Sequence, residues 1–143
     1  MDQNEEKRVR VILRWIQIKD KLEPFFKDHG EFRFRSRVSS GGAVVEERFP
    51  EEGHWTISDH PRFSKVDGID KVLFDGPAGE RLVVELFGEE VDALSANDPL
   101  DPYRREFSGS AEEWAGVYTP GDEGRSDPEN LKLWRLRYDV EVD

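Results

Sequence analysis

The chain has 143 residues, enough for one domain with a real core and too short for two ordinary ones. Acidic residues outnumber basic ones 32 to 21, a formal net charge of -11. Nucleic acid is excluded as an expected partner, because its binding depends on lysine and arginine displacing counterions from phosphates. There is no cysteine, which removes disulfides, thiol nucleophiles and thiolate metal ligands together. The charged opening MDQNEEKRVRV is unlike a signal peptide, and no apolar run is long enough for a transmembrane helix. The default expectation is a cytoplasmic location.

Period-two patterning dominates the chain, and alternate side chains of a strand point to opposite faces. Residues 9–18 combine Val9, Val11, Leu13, Trp15 and Gln17 on one phase with Ile12, Ile16 and Ile18 on the other. This predicts a strand buried on both sides. Residues 31–38 alternate more cleanly, with Phe32, Phe34, Ser36 and Val38 against Arg33, Arg35 and Arg37. A half-buried strand with a basic outer ribbon follows. Ser39-Ser40-Gly41-Gly42 predicts a hairpin turn into residues 43–49, whose Glu46 and Glu47 are the expected partners of the arginines. Pro50 and Gly53 end that strand, and residues 54–58 form a short one.

Strands at 71–74 and 81–87 flank the turn residues Asp75-Gly76-Pro77-Ala78-Gly79. Another is expected at 103–107, and a long final strand at 131–142. Ser110 followed by Glu113 is a capping-box spacing, so at most one short helix near 110–115 is predicted. Residues 120–128, rich in Gly, Pro and Asp, read as a surface loop. About eight strands separated by turn signals predict an all-β fold, a single antiparallel β-sandwich spanning residues 1–143. The expected core includes Ile12, Trp15, Ile16, Phe32, Phe34, Val44, Leu82, Val84, Leu86, Trp134, Leu136 and Tyr138.

The acidic loops carry the sharpest chemical expectation. The strand at 82–87 runs on into Glu90, Asp92 and Asp98. Acids two apart at a strand end point the same way, and Asp98 can return across the loop. Calcium takes six to eight hard oxygen ligands, so such a loop suits it. The segment resembles the third calcium loop of C2 domains, where acid-x-acid is followed after five residues by a further acid. That resemblance implies an eight-stranded C2-like sandwich with calcium as cofactor and an earlier acidic loop at the same end. The counterpart is residues 20–31, with Asp20, Asp28 and Glu31 as ligands beside Glu90, Asp92 and Asp98. It also implies a membrane surface as partner once calcium neutralises the acids, with Phe25, Phe26 and Leu94 at the loop tips. The competing reading is that these are solvated turn acids whose side chains bond their own backbone, and that Phe25 and Phe26 cap the core.

His29, His54 and His60 show no metal-ligand spacing, and no nucleophile elbow or phosphate loop occurs. The expected function is therefore a non-enzymatic binding module. It is either calcium-dependent through the acidic loops or a metal-independent protein-interaction sandwich using a sheet face or edge, with an unknown protein as partner. A glycan-binding module is a further alternative and requires Trp55 or Trp114 to stand exposed on a sheet face.

Overall fold

A computed structural model describes residues 4, 6–19, 29–58, 64–91, 98–121 and 128–143. Two antiparallel sheets pack face to face, the expected β-sandwich. One sheet contains β1 (Arg8–Ile18), β5 (Lys65–Val66), β6 (Lys71–Pro77), β10 (Gly116–Tyr118) and β11 (Trp134–Val142). The other contains β2 (His29–Ser40), β3 (Ala43–Phe49), β4 (Trp55–Ser58), β7 (Arg81–Glu90), β8 (Asp98–Pro99) and β9 (Tyr103–Ser108).

In the first sheet β1 lies between β11 and a lane shared end to end by β6 and β5, and β10 extends the far side of β11. In the second, β2 and β7 form the centre. The strands β3 and β4 share the lane beyond β2, and β9 and β8 share the lane beyond β7. Both layers are thus four lanes wide among the described residues; the eight expected strands are all present, and the short strands β5, β8 and β10 are additional. No helix among them is long and apolar enough to cross a membrane.

Most of the second apolar phase of β1 is explained by a bulge; Ile12, between the core residues Val11 and Leu13, is buried on the other phase before it. Pairing with β11 runs Val9↔Val142, Val11↔Val140 and Leu13↔Tyr138, then resumes at Ile16↔Leu136 after a register shift at Arg14. A bulge inserts one residue and so exchanges the faces of everything after it. Val9, Val11 and Leu13 before it, and Ile16 and Ile18 after it, all enter the same core. Arg14 turns outward to Asp139 (2.8 Å) and Asp70 (3.1 Å). Trp15 is half-buried outside the core, beneath the Lys65 ammonium.

The Gly41-Gly42 turn has both glycines at positive φ, 58° and 80°, as a two-residue hairpin loop requires. It sets Ser40 against Ala43 and Arg37 against Glu46. That register turns Val45, Glu47 and Phe49 inward and leaves Val44 about half exposed, which corrects its assignment to the core. Phe34 occupies the centre of the sandwich. Its ring lies 5.7 Å from Phe49, 5.9 Å from Trp55 and 5.5 Å from Trp134, the last contributed by the opposite sheet.

Polar groups close the ends. Asn4, fully buried, donates to the carbonyls of Gly79 (2.8 Å) and Gly109 (3.0 Å) and accepts from the Ala111 amide (2.8 Å). The short 3-10 helix Ala111–Trp114 is therefore capped from the distant N-terminal segment, and Ser110 makes no side-chain cap. Asp101 does not turn back on its own backbone. It accepts from the amides of Lys132 (2.8 Å) and Leu133 (3.1 Å), fixing the turn that leads into β11. For this reason β11 begins at Trp134, while Asn130 folds back to bridge Arg135.

Phe34→Ala should lower unfolding stability by about 3–5 kcal/mol, the usual cost of emptying a buried aromatic site. Val44→Ala should change it by less than about 0.5 kcal/mol. Urea denaturation of both variants checks the assigned phase of β3, and comparable losses would contradict it.

Candidate functional site

Of the six acids proposed as calcium ligands, Asp20, Asp28 and Asp92 lie outside the described residues, as does the side chain of Asp98. Residues 25, 26 and 94 lie outside them too. Glu31 projects from the outer face of β2 and meets His54 Nε2 at 3.3 Å. Glu90 sits opposite Phe32 in the β2–β7 ladder, so it shares the inner face and is fully buried. Its carboxylate lies over Gly30. A methyl group at that position would come within 2.9 Å of Oε1, and the glycine leaves the space in which this acid is held. Glu31 and Glu90 therefore point to opposite faces of one sheet. Among the described residues no three His, Asp or Glu side chains gather as a metal site.

The strand ends flanking both acidic segments do lie side by side. The start of β2 pairs with the end of β7, and the Val91 amide donates to the Glu31 carbonyl at 2.7 Å. The start of β2 and the end of β7 thus lie at the same end of the same sheet.

A second cluster lies between the layers. Arg105 and Glu129 form a two-point ion pair at 2.9 and 3.1 Å. The Tyr103 hydroxyl donates to Glu129 at 2.9 Å, so the 2.7 Å contact with Tyr138 is one in which Tyr138 donates to Tyr103. The Arg105 guanidinium also lies 4.6 Å from the Tyr118 ring centre. Every charge here meets its opposite, and the groups are buried or half-buried. The cluster joins the edge strand β9 of one sheet to β11 of the other. Sequence reading placed no role on Glu129, since nothing local marks it as the partner of a residue 24 positions earlier.

Burial raises the Tyr103 hydroxyl far above its usual titration range, with further increases from the neighbouring Tyr138 and Glu129. Burial likewise raises Tyr138 and Tyr118. All three tyrosines of the chain are thereby held in the neutral form.

A shallow trough of about 1030 Å³ lies on the outer face of the second sheet. Its floor follows from alternation. Arg33, Arg35 and Arg37 rise from β2, Glu46 and Arg48 from β3, and Glu85, Phe87 and Glu89 from β7. Arg37 faces Glu46 across the hairpin, as expected, at 3.9 Å. Arg33 is paired with Glu89 on β7. Glu47 points the other way and reaches Lys71 of the opposite sheet at 3.7 Å. Arg35 faces Arg48 directly in the ladder and lies 4.7 Å from the Phe87 ring centre.

Arg48 was not singled out from sequence. The two-residue turn is the signal that finds it, because counting back along the hairpin from Gly41-Gly42 sets Arg48 opposite Arg35. Phe87 has no such local signal. The tryptophans named for a glycan platform are both committed to the interior: Trp114 is buried, and Trp55 packs on Phe34 and Phe49.

The tyrosine shifts predict an alkaline limit to stability. The unfolded chain ionises its tyrosines near pH 10, whereas the folded chain holds its protons to higher pH. Stability from this cluster is complete below pH 10 and falls as pH rises above it. Absorbance at 295 nm should show Tyr103 and Tyr138 still protonated in folded protein at pH 10, and their ionisation should coincide with loss of the β circular-dichroism signal. Independent titration of Tyr103 or Tyr138 in folded protein would contradict the closed network.

The chain matches no protein-family model and no curated protein.

Proposed function

We propose that this protein is a non-enzymatic binding module that receives a partner protein on the outer face of the sheet built from β3, β2, β7 and β9. The observation that carries the reading is the trough across β3, β2 and β7, floored by charged side chains and by Phe87 on three neighbouring hydrogen-bonded strands. Interfaces favour arginine and aromatic residues at their centres, and this floor combines both. The alternation of Glu46, Arg37, Glu85 and Arg104 across four strands provides a pattern of charge that a partner can match. The buried cluster around Glu129 offers no comparable access, and its groups are already mutually satisfied.

A photo-crosslinking residue in place of Glu85, within the trough, tests this directly. It should trap a discrete partner in lysate of the source cells, whereas the same residue in place of Arg10, on the outer face of the other sheet, should not. Equal labelling from both positions, or none from position 85, would sink the sheet-face reading.

A second reading, calcium-dependent binding by a C2-like sandwich, is favoured by the adjacency of the start of β2 and the end of β7. Under that reading Asp20, Asp28, Glu31, Glu90, Asp92 and Asp98 remain the proposed ligands and a membrane surface the proposed partner. The inward direction of Glu90 and the outward direction of Glu31 weigh against their sharing one ion. A ligand that binds only the native state stabilises it by about 2.7 kcal/mol at a hundredfold excess over Kd. On the sheet-face reading the thermal midpoint is the same in chelator, millimolar calcium and millimolar magnesium. A rise with calcium alone, lost in Asp92→Asn, would instead establish the acidic loops as the site.

A further inference from the structure

Within the trough the arginines are not equivalent. Arg33 is paired with Glu89, and Arg37 with Glu46. Arg35 and Arg48 face each other across the β2–β3 ladder, and among the described residues neither is ion-paired with a carboxylate. Like charges directly opposite in a ladder disfavour the pairing. The arrangement is the more notable in a chain with eleven more acidic than basic residues, where a carboxylate opposite Arg35 is the cheaper solution. Phe87 lies on the other side of Arg35 and holds its guanidinium plane 4.7 Å from the ring centre. One fork of N–H donors, that of Arg35, thus stands over an aromatic ring, with Arg48 opposite it on the neighbouring strand and the arginines at 33 and 37 paired with carboxylates.

We infer that Arg35 and Arg48 form an anion-binding notch that takes the carboxylate of an acidic side chain presented by a partner polypeptide. The inference rests on the sheet-face reading and names the chemistry recognised there. Guanidinium groups bind carboxylates through paired, charge-assisted hydrogen bonds, and two of them can share the two oxygens of one carboxylate. Glu46 and Glu89, on either side, are engaged with Arg37 and Arg33 and repel any anion not centred on the pair. A single acidic side chain therefore fits better than a broad polyanion. Phe87 provides an apolar surface for the methylene groups that carry the incoming carboxylate. In the unbound protein the notch retains its like-charge repulsion, and the partner's carboxylate relieves it on binding.

The test uses the full chain with hexaglutamate, hexaglutamine and sodium sulfate as probes, compared at equal low ionic strength. Hexaglutamate should raise the thermal midpoint by about 2–4 °C, and hexaglutamine should not. Arg35→Gln and Arg48→Gln should each abolish that rise. Arg8→Gln, which removes the same charge from the opposite sheet, should retain it. Without peptide, Arg48→Gln should leave the midpoint unchanged or raise it, because a like-charged neighbour has been removed. A fall would assign the guanidinium a structural role and overturn the inference. Stabilisation by sulfate but not by hexaglutamate would also overturn it, as would hexaglutamate stabilisation that survives both arginine variants. Crosslinking from position 85 separates the two levels of the reading. If the crosslink persists undiminished in Arg35→Gln and Arg48→Gln, the face docks a partner without the notch and this inference fails alone. If unsubstituted arginines give no crosslink either, the sheet-face reading itself fails.

Discussion

The packing of Phe34 against Trp134 is the contact on which the rest of the sandwich depends. It joins a central strand of one sheet to a central strand of the other, 5.5 Å between ring centres, and Phe49 and Trp55 close around it. Because strand side chains alternate, committing Phe34 to the interior also commits Arg33, Arg35 and Arg37 to the exterior. The trough on the outer face is thus a direct consequence of the core. Neither can be shifted by one residue without exchanging phenylalanines for arginines between water and the interior.

The same constraint explains how a chain this acidic and this rich in charge closes its core. Two of its buried polar side chains draw their partners from distant parts of the chain. Asn4 binds two turns and the 3-10 helix, and Glu129 meets Arg105 and Tyr103 between the layers. Each ties segments far apart in sequence, so each contributes to fixing the arrangement of strands as well as to stability. The cost of losing one partner is large, because it strands the others without water.

Binding through a sheet face and binding through loops make different demands on such a frame. The trough lies on three hydrogen-bonded strands, and its charges are set at strand spacing before any partner arrives. Such a surface forfeits little conformational entropy on association. Leaving Arg35 and Arg48 mutually opposed costs the free protein some stability. Binding surfaces commonly accept that cost in exchange for recognition.

Periodicity alone determined that this chain is all-β, that β2 is half-buried, and that its arginines face out. The Gly41-Gly42 turn determined the β2–β3 register, and with it the opposition of Arg35 and Arg48, because a two-residue loop leaves no freedom in the count. Local pattern could not reveal the bulge at Arg14, since a single inserted residue looks the same as a strand apolar on both sides. That Val44 faces water does follow from the hairpin count, which sets it opposite Ser39 on the arginine phase, although its hydrophobicity alone points to the core. The ladder between β2 and β7 joins segments about fifty residues apart. It alone decided that Phe87 lies beside Arg35 and that Glu90 turns inward over Gly30. Those placements depend on which strands become neighbours, and that is settled by the packing of the whole chain rather than by any window of its sequence.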